Sequence, residues 1–336
     1  MTQVFIHPEL DDYFVEYDFR DTAGETGPTV RQSIVADYAD EKIILLRKLQ
    51  FDADVTFVRN VTFYQKWKWK KLALSNFEAM PPEKRRRHPE VTEFVKDVFA
   101  GDWGRFDYFL EQAKSVNDRI RAALDTIFAN YRFAQRNIIW RFTETRVENM
   151  HFDIDRNCDN LELIRAYVNL DEIPRIWYTS GTFSVTANEW YRKLDLARFR
   201  GQSYDKLLKE LTINAFGDWN VRGRDKVPRH LILFEPGDVW LTDGRLVSHQ
   251  VIYGRRVVST LFAAELAQVP DRKKTFAQKM ADLHKLQEEF KDSAEAVVNT
   301  ERPRKRGAAP NMQPVDLPSS WEQLSEQIRR DTIVRL

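Results

Sequence analysis

The texture of this sequence changes at Asn137, and the change constrains the fold more than any other feature. Before it, apolar residues recur at threes and fours: Asp37 to Phe51 carries Ile43, Ile44, Leu45 and Leu49, and His88 to Ala100 carries Val91, Phe94, Val95 and Val98. Trp103 to Phe133 continues the pattern through Phe106, Phe109, Leu110, Val116, Ile120, Leu124, Ile127 and Phe128. That period predicts packing helices. After Asn137 the chain breaks into short β-prone runs at Ile138 to Phe142, Leu163 to Leu170, Arg175 to Tyr178, His230 to Phe234, Val239 to Leu241 and Arg256 to Phe262. Ser180-Gly181, Glu235-Pro236-Gly237-Asp238 and Asp243-Gly244 punctuate them as turns. Short strands with frequent turns predict a double-stranded β-helix, a jelly-roll or cupin-like core, within an α+β chain.

The expected organisation is a mainly helical region over 1–136 packing on the core, a jelly-roll core over 137–268 with a helical insertion near 203–218, and C-terminal helices over 269–336 with an exposed linker near 300–318. The two C-terminal helices are predicted at Asp271 to Val298 and Ser320 to Leu336. Pro81 to Arg87 reads as a solvated, proline-opened connector. No period of 20 to 50 residues repeats.

Composition narrows the partners. Lys and Arg number 52 against 51 Asp and Glu, so no global field recruits nucleic acid or an acidic membrane surface. No apolar run approaches the roughly 20 residues needed to cross a bilayer. The lone Cys158 has no internal disulfide partner, and no signal-peptide pattern is present; a reducing, cytoplasmic setting is expected. With 43% hydrophobic residues the chain buries a sizeable core, and its partner is expected to be a small molecule. A homodimer through the extra helices stays open.

Chemistry is concentrated in Asn149-Met150-His151-Phe152-Asp153. His-x-Asp on extended backbone sends an imidazole and a carboxylate to the same side of the pleat. A third donor, His249, arrives almost a hundred residues later, in Val247-Ser248-His249 after the Asp243-Gly244 turn. Two imidazoles and one carboxylate on one face of an octahedron leave three positions open, which suits iron(II) holding a bidentate 2-oxo acid and O2. Arg165, inside the apolar run Leu163 to Val168, is costly on a strand unless it meets an anion.

These landmarks resemble a known family. Leu163-Ile164-Arg165-Ala166-Tyr167-Val168-Asn169-Leu170, Pro174-Arg175-Ile176-Trp177, Glu235-Pro236-Gly237-Asp238-Val239-Trp240 and Ser248-His249 are similar, in order, to those of the Kdo hydroxylases, Fe(II)/2-oxoglutarate oxygenases that hydroxylate an acidic sugar of lipid A. The resemblance spans about Asn149 to Phe262. It implies His151, Asp153 and His249 as catalytic metal ligands, with Fe(II), 2-oxoglutarate and O2 as cofactors. In double-stranded β-helix oxygenases a basic residue shortly beyond the distal histidine holds the far carboxylate of 2-oxoglutarate, which implies Arg256 and the strand carrying Ser259; Arg165 is the rival anchor. Arg175, Trp177 and Tyr178 are the implied substrate contacts. Tyr178-Thr179-Ser180-Gly181 and Arg255-Arg256 depart from the family's pattern, so the sugar substrate does not carry over directly. The expectation is oxidation of an unactivated C–H bond, by hydroxylation, desaturation or ring closure, on an amino acid or other small carboxylate of specialised metabolism. Two rivals are a Kdo-type sugar-acid hydroxylase and a non-enzymatic cupin-like binding protein; a third is an iron or manganese cupin that uses no 2-oxo acid.

Other features weigh less. His230 and Glu235, five apart on a strand, face opposite ways, so His230 reads as a wall or surface residue rather than a metal ligand, and Trp67-Lys68-Trp69-Lys70-Lys71 reads as amphipathic cover rather than a base-stacking surface. No phosphate loop and no Cys-x-x-Cys pair occur.

Overall fold

The computed structural model describes residues 2–61, 72–141, 145–146, 148–155, 158–217 and 227–289. Two sheets dominate it, and the architecture is α+β. The smaller sheet runs β1 (Gln3–Phe5), β9 (His230–Phe234), β8 (Arg175–Thr179), β11 (Gln250–Gly254), β5 (Thr145–Arg146), antiparallel throughout. The larger runs β2 (Phe14–Asp18), β3 (Ile43–Arg47), β10 (Val239–Leu241), β7 (Ala166–Asn169), β12 (Val257–Glu265), β4 (Phe133–Arg141), with β6 (Leu161–Ile164) also paired to β12. Its one parallel pair is β2 with β3.

Strand alternation assigns every side chain to a layer. Ile43, Leu45, Tyr167, Trp240 and Val257 of the larger sheet share a core with Trp177, Ile232, Phe234 and Val251 of the smaller one, so the two sheets pack face to face. The residues between them in sequence, Ile44, Leu46, Ala166, Val168, Val239, Leu241 and Val258, point the other way. They pack against α1 (Gly27–Ala39), α5 (Pro89–Phe99) and α6 (Trp103–Ile127). Burial of both faces explains why these strands read as continuous apolar runs.

The β runs from Ile138 onward form strands close to their predicted places, and helices form at α5, α6 and α8 (Tyr204–Phe216). Three expectations are corrected. Asp37 to Phe51 is not one helix: α1 ends at Ala39 and Ile43 to Arg47 is a strand, because a short run apolar on both faces suits a doubly buried strand as well as a helix. The region before Asn137 is not only a helical cover, since β1, β2 and β3 complete both sheets. Pro82–Arg87 is a short helix, α4, in which Arg85 and Arg86 pair with Asp107. The helix predicted from Asp271 is described as α9 (Phe276–Glu289). The 300–318 linker, the helix at Ser320 to Leu336 and the Trp67 to Lys71 motif lie outside the described residues. Among the described residues no helix is long and apolar enough to cross a membrane.

Candidate metal centre

His151 and His249 are brought together by the backbone itself. They form an isolated antiparallel bridge, in which the His151 amide donates to the His249 carbonyl at 3.0 Å and the His249 amide donates back at 2.9 Å. Two residues on, the Asp153 amide donates to the Gly244 carbonyl at 2.7 Å. One short stretch of extended chain thus lies beside the turn and strand that carry His249, and its alternation delivers all three side chains to one place.

The donor atoms of His151, Asp153 and His249 lie within 4.8 Å of one another. Oδ1 of Asp153 is 3.7 Å from Nε2 of His151 and 3.8 Å from Nε2 of His249. Nδ1 of His151 is 2.6 Å from the Asn149 carbonyl, and Nδ1 of His249 is 3.2 Å from the Val247 carbonyl. A carbonyl only accepts, so each Nδ1 donates its proton to the carbonyl two residues back, and each Nε2 is left as a lone-pair donor facing Asp153. Trp177 stacks on the His249 ring with centroids 5.0 Å apart and planes at 21°, which fixes the ring's rotation.

Space for the carboxylate depends on Gly244. A Cβ there would collide with Oδ2 of Asp153 and stand 2.7 Å from its Cγ and 3.0 Å from Cε1 of His249. The room that Gly244 leaves is taken by Oδ2, and this turns Oδ1 toward the two imidazoles. Two nitrogens and one oxygen, with bonds of about 2.0–2.2 Å, suit a divalent first-row metal, so the residues fit the ion the sequence implied.

Electrostatics agree with that fit. Burial pushes the His151 imidazole down, but the hydrogen bond and charge of Asp153, with the Asn149 carbonyl, outweigh it and hold the group above its ordinary value. Burial pushes His249 down to about 4, against the pull of Asp153 and helped by the neighbouring His151. Burial opposes ionisation of Asp153, yet the charges of Arg165 and His249 hold its carboxyl well below the usual range.

The other predicted residues divide. Arg165 faces the site, but Nη1 sits 3.1 Å from Oδ2 of Asp153 and Nη2 sits 2.5 Å from Oδ2 of Asp155. Its guanidinium therefore already has two carboxylates. Arg256 is corrected as a cosubstrate anchor: it shares the parity of Val258, on the helical side of the larger sheet, and donates to the Val61 carbonyl and to Asp171. Arg255 also pairs with Asp171, at 2.6 Å. Ser259 shares the parity of Val257, pairs with Tyr167 and is buried between the sheets. Tyr178, expected as a substrate contact beside Arg175 and Trp177, lies on the opposite face of β8 from those two, where the Arg229 guanidinium stands 5.6 Å from its ring. His230, a wall residue as expected, accepts from the His7 amide on Nδ1 and donates from Nε2 to the Asp11 carbonyl.

Arg175 stands out. It shares the inward face of β8 with Trp177, is 3% exposed, and among the described residues its Nε and Nη1 have no hydrogen-bond partner. Burial, with the charge of Arg141, lowers it to about 10, although Glu148, Tyr167 and Asp171 pull the other way. Gly254 on β11 makes its room, since a Cβ there would collide with Nη1 and lie 2.8 Å from Cγ. A buried guanidinium without a bonded anion is costly, and the cost is recovered when a carboxylate enters. Gly244 and Gly254 were not legible as site residues; Gly244 read only as turn punctuation, and Gly254 carried no signal of its own.

No family model matches the chain, and no curated protein matches it in sequence. Solved structures do match. The Kdo hydroxylase KdoO, described as a non-heme Fe(II) alphaketoglutarate dependent dioxygenase, aligns in complex with cobalt(II) at a TM-score of 0.60 and 14% identity, covering 81% of this chain and 95% of that one. Its complex with alphaketoglutarate and Fe(III) aligns at 0.58 and 14%, and its apo structure at 0.59 and 15%, with the same coverage. At such low identity the likeness concerns the fold: this chain is built, over four fifths of its length, on the architecture of the Kdo hydroxylase structures.

Proposed function

We propose that this chain is an Fe(II)- and 2-oxoglutarate-dependent oxygenase whose face-to-face sheets form a double-stranded β-helix core. The observation that carries the reading is the convergence of Nε2 of His151, Nε2 of His249 and Oδ1 of Asp153, with Oδ2 of the same carboxylate lodged in the room left by Gly244. When bound, iron(II) with 2-oxoglutarate and O2 supplies the oxidising power to break an unactivated C–H bond, with succinate and CO2 as coproducts. Everything else is the work of the chain.

His151, Asp153 and His249 would hold the ion through two imidazole nitrogens and one carboxylate oxygen, three donors that would leave it able to take cosubstrate and oxygen as well. Arg175 takes the far carboxylate of 2-oxoglutarate, because a planar guanidinium meets a carboxylate through two parallel hydrogen bonds and this one is buried, with its Nε and Nη1 lacking a hydrogen-bond partner among the described residues. Ser259, buried between the same sheets, is a second polar contact for that end. Trp177 and Trp240, whose rings pack 5.4 Å apart at 89°, make an apolar wall beside His249 that keeps water from the reacting centre.

The substrate in this reading is a small polar metabolite bearing a carboxylate, a class that covers free amino acids and acidic sugars; the fold likeness to KdoO favours including the sugar acids. Succinate formation under air, with amino acids and 2-keto sugar acids offered in turn, tests the proposal. Substrate-stimulated succinate with oxidised product supports it. Metal binding with no succinate from any member of the panel favours a cupin-like binding protein, and substrate oxidation without succinate favours a cupin that needs no 2-oxo acid.

A further inference from the structure

Resting on that reading, we infer that Arg165 is a positioning residue that holds Asp153 to one-oxygen coordination and thereby keeps a metal position open. Arg165 sits where the larger sheet breaks between β6 and β7. Its amide leaves the ladder and donates to the Tyr38 hydroxyl at 2.9 Å, while the next amide, of Ala166, donates to Oγ1 of Thr260 at 2.7 Å. The break, braced on both sides by buried hydroxyls, directs the side chain into the inter-sheet space next to Asp153.

There the two halves of the guanidinium have different partners. Nη1 lies 3.1 Å from Oδ2 of Asp153 and Nη2 lies 2.5 Å from Oδ2 of Asp155. The other oxygen of Asp153, Oδ1, faces both imidazoles. A carboxylate whose second oxygen is held by a buried cation cannot turn both oxygens to one ion. Asp155 makes the restraint firm: by holding the far end of the fork it stops Arg165 from following Asp153 toward the metal. Bidentate aspartate would occupy one of the three positions that 2-oxoglutarate and O2 require. Gly244 contributes from the other side, because the space it leaves empty is where Oδ2 lies.

Cobalt(II) titration of the metal-free chain tests this, with visible d–d absorption as readout, first without and then with 2-oxoglutarate. Arg165→Met is expected to weaken cobalt binding about 10- to 100-fold and to change the d–d bands before any 2-oxoglutarate is added, with Arg165→Lys restoring part of both. Asp155→Asn, which touches no metal ligand, is expected to move the spectrum in the same direction by less, and it decides the matter if Arg165→Met does not fold. Wild-type affinity and bands in Arg165→Met and Asp155→Asn would overturn the inference. Loss of 2-oxoglutarate binding alone in Arg165→Met would also overturn it, making Arg165 a cosubstrate contact. Failure of the wild-type chain to bind cobalt at all would instead sink the oxygenase reading beneath it.

Discussion

His151 and His249 are backbone partners as well as side-chain neighbours: each donates its amide to the other's carbonyl, at 3.0 and 2.9 Å, and their rings stand 4.6 Å apart. The separation of the metal donors is therefore set by strand pairing, and it does not depend on a loop finding its place. Substitutions around the pair should alter metal binding without loosening the fold.

Gly244→Ala places a methyl group where the Asp153 carboxylate lies. The turn itself does not need glycine's freedom, so the fold should persist while cobalt(II) affinity falls by about 10-fold or more. Calorimetric titration beside a thermal melt checks both halves. An unchanged affinity would show that Asp153 has another place to go.

Arg175→Met should leave binding of the metal alone unchanged and weaken 2-oxoglutarate by about 10- to 100-fold, the equivalent of roughly 1.5–3 kcal/mol for hydrogen bonds to a charged group. Arg256→Gln should leave both near the wild-type values, since that guanidinium serves Val61 and Asp171. Equilibrium dialysis of 2-oxoglutarate against the cobalt-loaded variants distinguishes the two arginines. The reverse ranking would return the anchor to Arg256.

Metal affinity should rise with pH around neutrality. His151 holds a proton more tightly than an ordinary imidazole, and a metal must displace it, whereas His249, pushed down to about 4, is already neutral there. Cobalt affinity is thus expected to climb with a slope of about one proton per metal up to the raised value of His151 and to level off above it. A slope of two across the neutral range would mean that both imidazoles are protonated in the free site.

Glu162 provides a stability test remote from the donors. Burial pushes its carboxyl up from 4.5 to about 7, with Arg245 opposing. A folded value above the unfolded one means that the stabilising contribution is complete below about 4.5 and is lost as pH rises through about 7. Glu162→Gln should keep the contact with the Phe276 amide and should remove a decline on the order of 1–3 kcal/mol between about pH 5 and pH 8. Urea midpoints at the two ends measure it.

Much of the site was legible because its logic is local. His-x-Asp on extended chain forces a shared side, and a third histidine after a tight turn supplies the missing donor. The strands from β6 onward were legible from apolar runs bounded by turns. Ile43 to Arg47 was not, because four consecutive buried residues carry no period that separates strand from helix. The direction of Arg256 and of Tyr178 depended on parity relative to a core that only the sheet register defines. Gly244 and Gly254 matter for what approaches them from distant segments, and that information is absent from their own neighbourhoods.

Anaerobic titration of the metal-free chain with iron(II) and 2-oxoglutarate tests the central claim most directly. The account predicts a weak visible charge-transfer band that saturates at one iron and one 2-oxoglutarate per chain and disappears in His249→Ala. Iron binding without that band, or a band that survives loss of His151, Asp153 or His249, would contradict it.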